Sequence, residues 1–393
     1  MKEFDQNRVE VTKMEELIKP LSRRLKPQKI ATIMVRSLWK LSISPIKLEI
    51  RQQGFFREVP LHALVIVITG QAIGKVSMVP KYLNNILFEF LGVNNVATTG
   101  DISVFLPNKD EYIQYLDAFL NTSLGQVILE LSKYGTTNQH IDLQIFIKQY
   151  VPLILVNKIA KLLESSIEEY EAKAWRAYFK AMKIVEEYLK IEDIGLTGIS
   201  TMKIMRNVGR IDAAIHLLLS SMASKIGEEN IHYIGKFYDI ISGTAPSSRK
   251  YEEFCKGQKY ISTKSIDESG YIDDESFYCY PGQLKTRSFA KKGSLVILKN
   301  AHTVEALGKV GVVYPYDNVS VISDLYILNP KLSIDEGVSF YINALSKTKL
   351  FKQIIQLLAY GLTAHIRAED LAKMPIPFIE QWEEVAKYMK EFF

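Results

Sequence analysis

The chain predicts an α/β (α+β) fold, with two β-rich units of like fold separated by a long α-helix that pairs with a shorter C-terminal helix in a pseudo-twofold arrangement. Three observations predict it: a repeat at a shift of 226 residues, strand-and-hairpin chemistry inside that repeat, and an unbroken amphipathic run between its copies.

The repeat is clearest where YLDAFLNTSLGQVILELSKYG (115–135) falls on YINALSKTKLFKQIIQLLAYG (341–361). Eight of 21 positions are identical, among them Tyr115/Tyr341, Thr122/Thr348, Tyr134/Tyr360 and Gly135/Gly361. After a one-residue slip, FIKQYVPLI (146–154) falls on LAKMPIPFI (371–379), which pairs Pro152 with Pro377. Upstream, VIVITGQAIGKVSMVP (65–80) falls on LVILKNAHTVEALGKVGVVYP (295–315), with Gly74-Lys75 on Gly308-Lys309. A period this long describes a tandem pair of domains rather than a solenoid. Before these segments the match is poor, and 1–60 is much shorter than 200–295, so the first unit reads there as abbreviated or diverged.

Local chemistry assigns the elements. VIVITG and LVILKN are short β-branched runs ended by turn residues, as buried strands are. The Gly-Lys after each turns the chain into a second apolar run, VSMV or VGVVY, making a hairpin. Segments 112–133 and 338–359 have helical periodicity, and each reads as stopping at a C-cap glycine. A Pro-containing extended exit follows in both copies.

Residues 153–191 hold neither Gly nor Pro after Leu153, and apolar side chains recur from Val156 through Ile159, Leu163 and Ile167 to Val185 and Leu189 at spacings of three or four. That stripe predicts one helix, ~55–60 Å long at 1.5 Å per residue, whose narrow seam needs a partner. Glu380 to Phe393 supplies the candidate. The division is therefore 1–152 for the first unit, 153–193 for the spacer helix, 194–379 for the second unit and 380–393 for the short last helix.

Composition narrows the function classes. Hydrophobic residues make up 47% and charged residues 24%, which excludes global disorder. A net charge of +5 does not by itself demand a polyanionic partner. The opening MKEFDQNRVEVTK is too polar for a signal peptide and no apolar run spans a membrane, so a cytoplasmic protein without membrane partners is expected. Cys255 and Cys279 make neither a disulfide framework nor a zinc site, and a structural or incidental role is expected for both. No resident metal or cofactor is expected.

Candidate chemistry fails on inspection. GQAIGKVS (70–77) lacks the phosphate-loop spacing, and Val76 stands where the magnesium-binding hydroxyl belongs. No Asn-Pro-Pro-Tyr type motif is present for adenine methylation, since Asn329-Pro330 runs into Lys331-Leu332. Glu171-Ala-Lys173 has nuclease letters but lies in the long helix without a partner acid. What repeats is polar and exposed: YGTTNQHI and YGLTAHIR carry hydroxyl, amide, imidazole and guanidinium groups, which bond phosphates and base edges. Two acid-free basic runs, 19–29 and 283–299, add cations suited to phosphate.

In the order and duplication of these features the chain resembles the specificity subunit of type I restriction–modification systems. The hairpins VIVITGQAIGKV and VILKNAHTVEALGKV, the helices ending in Tyr-Gly, the polar loops, the exits KQYVPLI and KMPIPFIEQ and the intervening long helix carry the resemblance. GRIDAAIHLLLSSM (209–222) resembles the lead-in found before such units. The resemblance implies two target recognition domains, each reading half of a bipartite double-stranded DNA site, and a non-catalytic subunit whose helices dock two adenine methyltransferase subunits. S-adenosylmethionine would then be bound by those partners, and translocating restriction subunits join in some systems. The last helix, at most 14 residues, departs from the usual equal pair. On this reading the DNA contacts of the first unit are Arg23, Arg24, Lys26, Lys75, Thr136, Thr137 and Asn138. Those of the second are Lys264, Lys285, Arg287, Lys299, His302, Lys309, His365 and Arg367, with Asn138, Arg287 and Arg367 reading bases. The rival readings are a scaffold of the same fold that no longer reads DNA, and the specificity module of a type IIG-like system.

Overall fold

The computed structural model describes residues 10–25, 29–39, 42–52, 54, 56–70, 72–136, 139–189, 222–245, 258–273, 277–280, 288–361 and 364–393. The fold is mixed α/β, and the chain divides into two compact units, Met1–Arg176 and Ala177–Phe393.

In the first unit one sheet runs in the order Val76–Met78, Leu64–Val67, Ile102–Pro107, Ile18–Leu21, with every pair antiparallel. A second sheet runs Arg24–Leu25, Phe56–Glu58, Val96–Thr98, Ile30–Ile33, Glu49–Arg51, and its one parallel pair joins Val96–Thr98 to Ile30–Ile33. Among the described residues the second unit repeats this order without a counterpart of the edge strand Arg24–Leu25. Val310–Val312, Leu295–Leu298, Leu325–Pro330 and Tyr238–Ser242 form its antiparallel sheet. Phe289–Ala290, Val319–Val321, Gln258–Ile261 and Tyr278–Tyr280 form the other, again with one parallel pair, Gln258–Ile261 on Val319–Val321. The first unit is therefore diverged in sequence before residue 65 but keeps the second unit's strand order. Strands covered on both faces ask only for apolar bulk: Leu64 and Ile66 enter one core cluster while Val65 and Val67 enter another.

Each Gly-Lys hairpin forms as read. Gly74 and Gly308 take φ of +89° and +71°, and their N–H groups donate to the carbonyls of Val67 and Leu298 at 2.9 and 3.0 Å. The two long helices read over 112–133 and 338–359 are instead helix pairs, Asp110–Leu120 with Ser123–Leu131 and Gly337–Leu345 with Lys349–Leu358. The repeated threonine makes the break. Thr122 and Thr348 are N-caps whose hydroxyl oxygens accept from the N–H of Gly125 and Phe351, each at 3.2 Å. Gly135 and Gly361, with φ of +87° and +86°, are not helix caps; each follows an extended tyrosine and turns the chain back toward a histidine.

The repeated tyrosine and proline also have a structural reason. The hydroxyls of Tyr115 and Tyr341 donate to the carbonyls of Pro152 and Pro377, the latter at 2.6 Å, and accept from the N–H of Ile154 and Ile379 at 3.5 and 3.2 Å. Each exit strand, Tyr150–Leu153 or Pro375–Pro377, pairs with the first described strand of its own unit, Glu10–Lys13 or Ile231–Tyr233.

Leu153 still pairs with Glu10, so the helix expected from 153 starts at Val156, after Leu155 in a left-handed conformation. It runs through Val156–Leu163, a π-helical turn at Glu164–Glu168 and Glu169–Tyr188, ~50 Å in all at 1.5 Å per residue. Residues 190–193 of the expected spacer, most of the 209–222 lead-in and Cys255 lie outside the described residues. The last helix is Trp382–Phe392. It follows the second tyrosine latch as the long helix follows the first, and is its counterpart. Within the second unit it lies antiparallel to the end of the long helix: Tyr178 packs on Phe392 with ring centroids 5.1 Å apart, Lys180 lies over the Tyr388 ring, and Gln381 Nε2 donates to the Tyr188 hydroxyl at 2.5 Å. Cys279 is disulfide-bonded, which is a structural role of the kind expected for the cysteines. Among the described residues no helix is long and apolar enough to cross a membrane.

Candidate nucleic-acid interface

The same corner occurs once in each unit, where the hairpin strand, the Tyr-Gly turn and the following short strand meet. In the second unit Asn300–Ala301 pairs with Ala364–His365, and His365 Nδ1 lies 2.8 Å from Asn300 Oδ1. Tyr360 bridges His365 through the backbone, and their rings lie 5.8 Å apart. The Arg367 guanidinium sits over the Tyr360 ring at 4.7 Å. Lys299 Nζ sits over the Tyr326 ring at 4.7 Å and donates to the Ser242 hydroxyl at 2.9 Å. The Tyr326 hydroxyl donates to the Ile366 carbonyl at 3.1 Å, fixing the strand that carries His365. Burial holds the Lys299 ammonium below its ordinary value, and Asp324 opposes that shift.

In the first unit Thr69 bridges His140, whose ring lies 5.6 Å from that of Tyr134. Two backbone bonds fix the correspondence. Ile68 donates to the Asp101 carbonyl and receives from Ile141 at 2.9 and 3.0 Å; Lys299 donates to the Asp324 carbonyl and receives from Ile366, both at 3.0 Å. Thr69 Oγ1 donates to Asp101 Oδ1 at 2.8 Å, much as Asn300 Nδ2 faces Asp324 Oδ1 at 3.5 Å. The shared frame therefore holds an exposed tyrosine, a histidine and an aspartate-anchored polar residue, while Lys299 and Arg367 stand where the first unit has Ile68 and Asp142. Asp142 caps the next helix, accepting from the N–H of Gln144 at 2.8 Å. The second corner also carries Glu369 and Asp370 in the first turn of its short helix.

Of the residues singled out from sequence, the second corner brings together Lys299, His365 and Arg367. Exposed His302 lies on the hairpin between Ala301 and the short 3-10 turn Val304–Ala306. Lys309 and Lys75 hold equivalent hairpin places, their carbonyls accepting from Leu298 at 3.0 Å and Val67 at 2.9 Å. Burial, then the like charge of Lys47, lowers the pKa of Lys75. Thr136 is exposed in the Tyr-Gly turn, and Lys264 is exposed on the 3-10 turn Thr263–Ser265. Arg24 lies exposed on a sheet edge, and Arg23 is ion-paired with Glu58 at 3.2 Å. Such an exposed pair is worth little and leaves Arg23 available to a stronger anion. Lys26, Thr137, Asn138, Lys285 and Arg287 lie outside the described residues. Sequence reading missed Asn300, Tyr326, Tyr134 and Tyr360 as site residues. The last two carried a signal, since they are identical in the repeat and yet exposed, at 55% and 39%.

A cation stacked on a tyrosine offers charge to a phosphate and a flat face to a sugar or base, while the amide and imidazole supply directional bonds. Among the described residues no group of three or more His, Cys, Asp or Glu side chains is placed to hold a metal ion.

No protein-family model matches the chain, and no curated protein does. Among solved structures it is similar to the crystal structure of the Type-I restriction-modification system S subunit from M. genitalium, at 14% identity over 98% of this chain and 89% of that one, with a TM-score of 0.41. It is also similar to a chain from a study of complex assembly and conformational transition of the type I R-M system, at 14% identity over 97% and 89% of the two chains, TM-score 0.31. The HsdS subunit from Thermoanaerobacter tengcongensis is a third, at 12% identity over 98% of this chain and 88% of that one, with a TM-score of 0.29.

Proposed function

We propose that the chain is a non-catalytic DNA-recognition subunit of a restriction–modification complex. Residues 1–152 and 194–379 each read half of a bipartite duplex target, and the helices 156–188 and Trp382–Phe392 form the helical spacer. The observation that carries the reading is the repeated corner: the same exposed tyrosine and histidine, on the same sheet frame, in both units. A core role would have buried the tyrosines; their exposure in both copies fits a contact surface. In the second corner Lys299 and His365 contact phosphate and Arg367 reads base edges. Two adenine methyltransferase subunits are the expected helix-docking partners, and they bring S-adenosylmethionine.

The test is selection from a random duplex pool, with and without a methyltransferase partner, followed by sequencing. Enrichment of a two-part consensus at fixed spacing is expected. Absence of enrichment in both arms would refute the reading and favour a scaffold of the same fold.

A further inference from the structure

The first unit holds a second concentration of chemistry, made of residues that DNA contact does not use. The helix Asp110–Leu120 and the long helix enclose three carboxyl groups: Asp117 and Glu168 are buried, at 2% and 8% exposure, and Glu171 is half-buried. The Tyr82 hydroxyl donates to Glu171 Oε2 at 2.8 Å, and Asn121 Nδ2 lies 3.2 Å from Asp117 Oδ1. Lys81 is the cation facing the group, and its Nζ is already bound to Glu164 Oε1 at 2.9 Å. Asp110 and His62 complete the charged surroundings, with His62 Nδ1 3.5 Å from Asp110 Oδ1. The Gln114 amide and the Lys81 N–H face Glu168, the Met78 N–H faces Asp117, and the Ser42 hydroxyl faces Glu171 beside that of Tyr82. The long helix takes its π-helical turn here, at Glu164–Glu168.

The repeat supplies an independent comparison. At the 226-residue shift Asp117 corresponds to Asn343, fully buried, whose Nδ2 donates to the Ser269 carbonyl at 2.8 Å. A protonated aspartic acid has the shape of asparagine and keeps one donor; an aspartate has neither donor nor, in this site, an uncommitted cation.

We propose that docking of the long helix on the first unit is coupled to protons: the helix seats fully while Asp117 and Glu171 are neutral, and loosens around its π-helical turn when both are charged. Ionisation would set like charges side by side in a site whose ammonium is spoken for, and buried unpaired charge is costly. Burial is the largest influence on both groups, pushing Asp117 up to about 8 and Glu171 up to about 7. Glu168 is raised as well, with Lys81 opposing. Both folded values lie above the ordinary 3.8 and 4.5, so the folded state holds protons that the unfolded chain releases. The stabilisation is complete below the ordinary values and declines as pH rises through the folded ones, with most of it gone by about pH 8.

Hydrogen–deuterium exchange on the full chain tests this at about pH 6 and 8.5, corrected for intrinsic exchange rates. Protection of amides 164–176 is expected to fall at least about tenfold at the higher pH, while the helix Gly337–Leu345 of the second unit keeps its protection. The double variant Asp117→Asn/Glu171→Gln should show the same protection at both values. Equal protection in the unaltered chain, or an unchanged pH response in the variant, would overturn the proposal. If the double variant does not fold, Asp117→Asn alone, which installs the residue of the second unit, should flatten the decline in Tm across this range; a parallel decline would equally overturn it.

Discussion

Replacing Tyr341 by Phe removes one oxygen and keeps the ring. That oxygen donates to the Pro377 carbonyl at 2.6 Å and accepts from the Ile379 N–H at 3.2 Å, in a fully buried setting. The ring's packing on Phe378 and Trp382, with centroids 5.1 and 6.2 Å away, is untouched. The cost is therefore that of stranding a buried acceptor and a buried donor, at about 1–3 kcal/mol each with partial relaxation. A loss of about 3 kcal/mol follows, more than a hundredfold in the folding equilibrium of the second unit. Tyr115→Phe should cost less, because its second bond is the longer one, 3.5 Å to the Ile154 N–H. Urea denaturation of both variants measures the difference, with an unchanged m-value confirming that the same surface unfolds. A Tyr341→Phe loss below about 0.5 kcal/mol, or a larger loss from Tyr115→Phe, would show that these hydroxyls do not hold the exit strands.

Three further outcomes are expected. Thr348→Ala should lose about 1 kcal/mol through its N-cap, and Thr348→Ser should retain most of it; circular dichroism melts separate the two. Replacing Lys299 by Gln should lower the salt-dependence slope of duplex affinity by about 0.9, the share of one lost phosphate contact, in anisotropy titrations; an unchanged slope would remove it from the interface. Ala at Tyr134 and at Tyr360 should each weaken duplex binding without shifting the urea midpoint, since both rings are exposed, at 55% and 39%. Weaker binding accompanied by lost stability would mark a structural role instead.

Much of this fold was legible where local chemistry decides it. The Gly-Lys hairpins follow from β-branched runs beside a glycine that tolerates positive φ. The helix breaks were not read, because apolar periodicity continues across Asn121-Thr122 while the cap bond that stops it uses one hydroxyl. The strand order before residue 65 left no trace in identity, since Ile30–Ile33 and Gln258–Ile261 can play one part with different side chains. For the site, Lys299, His365 and Arg367 stood out as repeated or basic letters. Asn300 and Tyr326 did not, because their roles depend on a strand 65 residues away and on a hydroxyl reaching the Ile366 carbonyl. Pairing across such distances has no local signature.

The tyrosine latch anchors the root of the long helix. That root, from Ile154 onward, is tied to the exit strand and to the helix Asp110–Leu120 through one phenol oxygen, and the exit strand is tied in turn to Glu10–Lys13. Eight residues beyond Val156 the regular i to i+4 ladder is interrupted by the π-helical turn, and there Lys81 and Tyr82 tether Glu164 and Glu171. The regular ladder thus holds over the first two turns and is interrupted at Glu164–Glu168, beside the carboxyl groups of the first unit.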